Sequence, residues 1–420
     1  MSVLLVGCTG FLGQAVLYQL LTRTPYKLLV VCRTKYGLSA KFRVIQIIKE
    51  LGLANLARRV RAIPIKYERV CFDLAMKAHH QQLIRNEATI LINALADTCV
   101  STGIKEAMAV NTSIALEWLQ FFKSCINAKK YIYISDAFVN FHRGGRIEEI
   151  IYETQLDRDI LRAAKANECI DIAPYNSPYL LSKQLSEILL TQHRGNLDLA
   201  ILRPSLLAPA VQRPYCGWSG PNKLSALFNG ISVGLISAWR LNKESILEKH
   251  LNQVPVDIAA RDILSLIKSK KSYTIRHCCL TGNNIFCITF FSFYSYLLEA
   301  IRYFSTTPLK IYGRILHSYF PLQQKTIHNR YLLICPFLKN LYQNKKNFIH
   351  FFTLLRDSMK YTYTINQYFP YFISKNVIFN RKNTSKWFYK NLCQDIAYKN
   401  FIQNIQKTIH KNKMLMNILR

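Results

Sequence analysis

The opening thirteen residues constrain the fold more than any other stretch of this chain. Residues 2–6 form an apolar run of strand length, and Gly7-Cys8-Thr9-Gly10-Phe11-Leu12-Gly13 follows at once, with glycine at every third position. Glycine permits a tight turn and close approach of the backbone to another group. A helix opening at that turn aims unpaired N–H groups and the positive end of its dipole at an anion. Strand, glycine turn and helix in that order is what the pyrophosphate of a dinucleotide requires, whereas an ordinary strand-to-helix turn has no need of the spacing. Gly7, Thr9, Gly10, Phe11, Leu12 and Gly13 are the first candidate cofactor contacts.

The rhythm set by that turn continues. Apolar runs at 27–32, 89–94, 130–135 and 197–202 have strand length, and amphipathic segments such as 14–23 and 104–123 lie between them. Strands alternating with helices imply right-handed crossovers and a doubly wound parallel sheet of the Rossmann-like α/β class. Ligands of such a sheet bind beyond the carboxyl ends of its strands, so residues just after Val6, Cys32, Ala94 and Ser135 are expected to face one crevice.

The second strand ends in Cys32-Arg33-Thr34-Lys35 rather than in the acid that a free ribose would favour. A cation there suits a 2′-phosphate, so Arg33 points to NADPH over NADH; Lys35 serves equally as a phosphate contact or as a solvated loop charge. Asp73, expected after the third strand, either touches the adenine or forms a turn. Further on, Ser135 closes the fifth strand, and Tyr179-Leu180-Leu181-Ser182-Lys183 opens a helix 44 residues later. Tyrosine and lysine four apart share a helix face. An ammonium beside a phenol stabilises the phenolate, so Tyr179 is expected to exchange a proton with a carbonyl oxygen near neutrality. Tyr342 with Lys346 and Tyr371 with Lys375 match the spacing too, but only the 179–183 pair follows a strand carrying a hydroxyl residue.

Among 420 residues, 56 Lys and Arg stand against 24 Asp and Glu, a net charge of +32. Such an excess suits nucleic acid, an anionic membrane or a polyphosphate ligand. It is uneven: residues 281–420 hold 20 bases and 3 acids, together with 28 of the 47 Phe and Tyr, which marks a boundary near 280. That region reads as a basic, aromatic, mostly helical appendage. No Cys-x-x-Cys or His spacing completes a zinc site, so no metal is expected and the cysteines suit a reducing compartment. Residues 1–6 run straight into the turn, which gives no expectation of a secretory signal. Gly282, Asn283 and Asn284 interrupt the longest uncharged stretch, so no spanning helix is expected while contact with a membrane surface stays open. No compact nucleic-acid motif is present, and nucleic acid is not expected as a partner.

Taken in order, these segments resemble the alcohol-forming fatty acyl-CoA reductases, the male-sterility-type branch of the extended short-chain dehydrogenase/reductase superfamily. The resemblance spans roughly residues 1–285. It rests on Thr9-Gly10-Phe11-Leu12-Gly13, Arg33 with Gly37-Leu38-Ser39-Ala40, Asn111, and Ile134-Ser135-Asp136-Ala137-Phe138-Val139-Asn140. Tyr179 with Lys183, Arg203-Pro204-Ser205, Gly217-Trp218, Gly220-Pro221, Val254-Pro255-Val256-Asp257 and His277-Cys278 complete it. What the resemblance implies is reduction of a long-chain acyl-CoA to a primary alcohol by two NADPH, with release of CoA. Tyr179 would protonate the developing oxyanion, and Lys183 would hold the nicotinamide ribose and lower the phenol's pKa; the family's catalytic hydroxyl is the Thr of its Ser-Thr pair after the fifth strand, so here either Ser135 takes over that role or activity is reduced. Asn111 would either tie elements together or anchor a proton relay. It also implies a membrane-associated location, peroxisomal or endoplasmic, with the tail forming an acyl tunnel and membrane anchor or a packed helical cap.

The chain departs from that pattern in places. The family's usual Ser-Thr after the fifth strand is Ser135-Asp136, its common His after the fourth strand is Asn93, and its arginine-phenylalanine pair is missing from Cys99-Val100-Ser101. An ionised aspartate cannot donate to an oxyanion and opposes charge developing there. The alternative expectation is therefore a non-catalytic protein of the same superfamily that binds NADP or an acyl group.

Overall fold

The computed structural model describes residues 1–35, 37–66, 76–98, 103–166, 175, 177–220, 253–279 and 377–379, with isolated positions 397, 400, 403 and 404. Along the first half run β1 Ser2–Val6, α1 Phe11–Arg23, β2 Lys27–Arg33, α2 Ala40–Glu50, β3 Val60–Ile65, α3 Ala78–Glu87 and β4 Ile90–Asn93. There follow α4 Ile104–Met108, α5 Ile114–Lys123, β5 Lys130–Ile134, β6 Gly145–Ile147, α6 Gln155–Ala166 and α7 Pro178–His193. The remaining elements are β7 Asp198–Pro204, β8 Leu206–Ala208, β9 Gln253–Pro255, α8 Val256–Lys268, β10 Tyr273–Cys278 and β11 Val377–Phe379.

Seven strands form one sheet in the order β10-β7-β5-β4-β1-β2-β3, and every pairing in it is parallel. The five expected strands are all present, with ends displaced by at most two residues. β1, β4 and β5 are buried along their whole length, which is why they read as continuous apolar runs rather than alternating ones. β3 carries Pro64, which cannot donate to a ladder; it is tolerated because β3 is an edge strand. Leu4, Val6, Tyr131 and Tyr133 share one core with Trp118, Leu119 and Phe122 of α5, and α1 packs against α8.

Beyond β1 the strand order runs one way through β2 and β3 and the other way through β4, β5, β7 and β10. A crevice opens where the order reverses, at the carboxyl ends of β1 and β4. The helical run expected over 104–123 is interrupted by a π-helical turn at Ala109–Ser113, between α4 and α5. That turn carries Asn111.

The sheet lies within a compact unit made of Met1–Gly220, Asn252–Cys287 and Ser374–Gln394. The tail expected to be helical over 281–420 falls outside the described residues, apart from the isolated positions above and β11, which pairs in parallel with β6. Asp73 and Cys99-Val100-Ser101 also lie outside them.

Candidate active site

The glycine turn places backbone where side chains cannot fit. Gly7 has φ +88°, and a Cβ on it would lie 2.5 Å from the carbonyl carbon of Ala94, at the end of β4. A Cβ on Gly13 would collide with the Gly7 carbonyl oxygen. The Gly10 N–H closes the turn on that same oxygen at 3.2 Å. No side chain caps α1 and no acid lies in its first turn, so its free N–H groups are left for an anion. Phe11 and Leu12 are buried, and the Trp218 ring packs over Phe11 with centroids 5.4 Å apart.

Beside the turn, the Cys8 thiol donates to the Val31 carbonyl at 3.8 Å and the Cys32 thiol to the Arg33 carbonyl at 3.5 Å. The neighbouring Cys8 thiol brings Cys32 down to about 7 against burial, with Arg43 and Arg33 adding to the effect. Arg33 is exposed at the end of β2, and Arg43 Nη1 donates to its carbonyl at 2.5 Å. Lys35 and Leu38 exchange backbone hydrogen bonds across a turn at Gly37. No acid occurs from Arg33 to Arg43. These residues fit a dinucleotide: a backbone cradle that a Cβ would fill, an uncapped helix end, and a cationic rim one strand away.

Two strands from β1, the end of β5 carries the second cluster. Ser135 is buried, and its Oγ has no hydrogen-bond partner among the described residues. α7 crosses there, capped by Ser177 Oγ accepting from Leu180 N and started by Pro178. Its Tyr179 donates through Oη to Asp136 Oδ2 at 3.1 Å. Lys183, 1% exposed, donates to the Ile134 carbonyl at 2.7 Å and to Tyr133 Oη at 3.2 Å, and its ammonium lies 4.6 Å from the centre of the Tyr133 ring. Burial lowers Lys183 to about 8, although the charges of Asp136 and Glu187 hold it up.

Tyr179 is driven the opposite way from the expectation. Burial raises it well above the usual phenol value, and the Asp136 charge and hydrogen bond raise it further. The expected lowering by Lys183 does not occur here because the ammonium engages Ile134 and Tyr133, while a carboxylate holds the phenol.

Asn111 joins three segments. Its Nδ2 donates to the Asp97 carbonyl at 3.1 Å and to Ser182 Oγ at 2.9 Å, and its Oδ1 accepts from Asp97 N at 2.8 Å. Its carbonyl receives Ser186 Oγ at 2.9 Å and Tyr133 Oη at 3.5 Å. The side chain thus locks the loop after β4 to α7, and the carbonyl ends a chain of contacts that leads through Tyr133 to Lys183. Asn93 is a strand-end clasp: Nδ2 reaches Tyr131 Oη at 2.8 Å and Oδ1 accepts Leu95 N at 3.1 Å.

Tyr133 was not singled out from the sequence, although period-2 alternation puts it on the same strand face as Ser135. Glu187 was missed as well. It stands one turn after Lys183 and forms a bidentate, fully buried pair with Arg203, Oε1–Nε 3.0 Å and Oε2–Nη2 2.6 Å. Arg203 therefore fastens α7 to β7. Asp257 is also structural, accepting the N–H groups of Val211, Gln212 and Arg213 at 3.2, 3.0 and 3.2 Å.

A glycine turn in the crevice of a parallel sheet, with Tyr179 and Lys183 on α7 beside it, defines a nicotinamide-dinucleotide-binding α/β protein of the short-chain dehydrogenase/reductase type. The chain belongs to the NAD-binding family described as male sterility protein, which it matches over residues 5–263. It is 25% identical over 284 residues to fatty acyl-CoA reductase 1 of Rattus norvegicus, covering 63% of this chain and 54% of that protein. It is 22% identical over 362 residues to the probable fatty acyl-CoA reductase 5 of Arabidopsis thaliana, covering 74% and 71%. Against the first of these, the chain spans about half the relative's length. Among solved structures, a thiolation-reductase di-domain of an archaeal non-ribosomal peptide synthetase superposes with TM-score 0.57 at 16% identity, covering 99% of this chain and 76% of that one. The terminal R domain of the myxalamid pathway gives 0.52 at 19%, covering 71% and 70%. These two likenesses establish the fold. Among the described residues no helix is long and apolar enough to cross a membrane, and no group of three or more His, Cys, Asp or Glu could hold a metal ion.

Proposed function

We propose that this chain is an NADPH-dependent reductase that converts long-chain acyl-CoA to the primary alcohol and releases CoA. The observation that carries the reading is the meeting of Ser135, Tyr179 and Lys183 at the end of β5, two strands from the glycine turn, in a member of the male sterility family. Gly7, Gly10, Gly13 and the start of α1 hold the pyrophosphate, and Arg33 takes the 2′-phosphate that distinguishes NADPH from NADH. Two NADPH molecules, bound one after the other, would each supply one hydride, the first to the thioester carbonyl and the second to the aldehyde left after CoA departs.

The chain's own groups deal with the oxygen and its proton. Ser135 Oγ, buried without a partner among the described residues, is free to donate to the substrate oxygen. Tyr179 gives that oxygen its proton. Lys183 has two of its three donors committed to Ile134 and Tyr133, which leaves the third for a ribose hydroxyl. Incubation with NADPH and acyl-CoA of several lengths, with products identified by mass spectrometry, should give fatty alcohol, and Tyr179→Phe should abolish it. No alcohol from a folded, NADPH-binding protein rejects the activity.

One observation favours a second reading, a binding protein without catalysis: Asp136 takes the hydrogen of Tyr179. A large gain of activity in Asp136→Thr, from a wild-type level near zero, selects that reading. The basic tail, +17 over residues 281–420, suits an anionic membrane surface, peroxisomal or endoplasmic. Retention on anionic vesicles that weakens with salt tests it.

A further inference from the structure

Asp136 is held by both oxygens. Oδ1 accepts the Phe138 N–H at 2.9 Å and caps the short 3-10 helix Ala137–Arg143, while Oδ2 accepts Tyr179 Oη at 3.1 Å. The carboxylate therefore cannot swing away without uncapping that helix. A phenol has a single hydrogen. While it points at Asp136, it does not point at a substrate oxygen.

We propose that Asp136 is a positioning residue that locks Tyr179: ionised, it withholds the phenolic hydrogen from the substrate, and protonated, it releases it. This rests on the reductase reading above. With a proton on Asp136, the carboxylic acid donates to Tyr179 Oη and the phenolic hydrogen turns to the substrate oxygen. As the substrate alkoxide takes the phenolic proton, the Asp136 proton moves to the phenolate. The step leaves an alcohol, a phenol and a carboxylate, and solvent returns one proton to Asp136.

The surrounding charges work against ready release. Lys183 faces Asp136 from α7 and Tyr133 faces Tyr179 from β5, while the Glu187 charge acts on Lys183. The Lys183 cation favours the ionised carboxylate, and burial first, then that carboxylate, keeps Tyr179 well above its ordinary value. Reduction is thus confined to the acid side of the Asp136 ionisation.

Asp136→Asn tests the lock, because it keeps an oxygen for Phe138 N–H and loses the charge. Wild-type kcat/KM for an acyl-CoA with NADPH should fall tenfold per pH unit above the Asp136 ionisation. The variant should be level until Lys183 titrates, and at pH 7 should exceed wild type at least tenfold. Independently of turnover, carbon-13 labelling of tyrosine Cζ, with Tyr179 assigned by its loss in Tyr179→Phe, should show Tyr179 titrating at least one pH unit lower in Asp136→Asn. Parallel pH profiles, or an unmoved Tyr179 titration, overturn the proposal. Should Asp136→Asn not fold, Asp136→Ser keeps an acceptor toward Phe138. If neither protein reduces acyl-CoA, the reductase reading fails while the titration still decides the lock.

Discussion

Glu187→Gln isolates the contact that holds the catalytic helix to the sheet. Arg203 is 0% and Glu187 1% exposed at the side chain, so neither charge is shared with water. Beyond Glu187, the guanidinium's hydrogen bonds among the described residues go to neutral groups: the Glu148 carbonyl at 3.2 Å, the Ile150 carbonyl at 2.8 Å and His277 Nε2 at 3.4 Å. Removing one partner of such a pair costs about 3–5 kcal/mol, because the other charge stays buried and uncompensated. Glutamine keeps the shape and one acceptor oxygen, which places the loss near the low end, about 3 kcal/mol. Hydrogen exchange of α7 amides reads it directly: with about 1.4 kcal/mol per factor of ten, protection should fall by roughly two orders of magnitude. Replacing both residues, Glu187→Met with Arg203→Met, should restore most of it, since an apolar pair of similar volume is close to neutral there. A loss of protection below about fivefold in the single variant, or a double variant no better than the single, would refute the reasoning. The substitution also bears on catalysis. The Glu187 charge helps keep Lys183 protonated, so its loss in the Asp136→Asn background should move the alkaline decline of that variant to below the pH of about 8 set by Lys183.

Gly13→Ala drives a methyl into the Gly7 carbonyl, so α1's first turn must shift; NADPH affinity, followed by cofactor fluorescence, should drop at least tenfold. Arg33→Ala should weaken NADPH about tenfold, one charge-assisted hydrogen bond of about 1.5 kcal/mol, and leave NADH unchanged; equal effects on both would refute the 2′-phosphate contact. Lys183→Met should abolish turnover yet leave the fold at least as stable at pH 7. A lysine lowered to about 8 from 10.5 carries a penalty of about 3 kcal/mol, against roughly 1–2 for leaving the Ile134 carbonyl without its donor. The folded state binds that proton less tightly than the unfolded one, so wild-type stability should rise as pH climbs from about 8 toward 10.5, and thermal melts of Lys183→Met should lack that rise.

Features encoded locally were legible in the sequence. Strands buried on both faces read as apolar runs, the glycine spacing announced its turn, and the order of Ser135 before Tyr179 and Lys183 selected one Tyr-Lys pair out of three. What escaped was set by crossings in three dimensions. The π turn at Ala109–Ser113 leaves no mark on apolar spacing; it turns Asn111 toward both Asp97 and Ser182. The Glu187–Arg203 pair joins a helix to the strand after it, and sequence shows only two charges 16 residues apart. Asp136 could be recognised as a departure, but its hold on Tyr179, 43 residues on, depends on where α7 crosses β5.

The segments that made the family recognisable are mostly scaffold. Arg203 pins α7, Asp257 gathers three backbone donors, and Trp218 covers Phe11 of the glycine turn. α7 is further tied by Asn111 to Ser182, by Thr112 to the Ser182 carbonyl and by Lys183 to Ile134. A lysine buried at a cost of about 3 kcal/mol beside a serine hydroxyl that has no partner among the described residues is the kind of arrangement found where chemistry is carried out. On the proposed reading the glycine turn and Arg33 hold the cofactor's phosphates, and Lys183 its ribose. Among the described residues the frame around Tyr179 is well tied, and the Asp136 carboxylate in it opposes the proposed reduction through a charge that a single proton removes. On the proposed reading, turnover of acyl-CoA is governed at that ionisation.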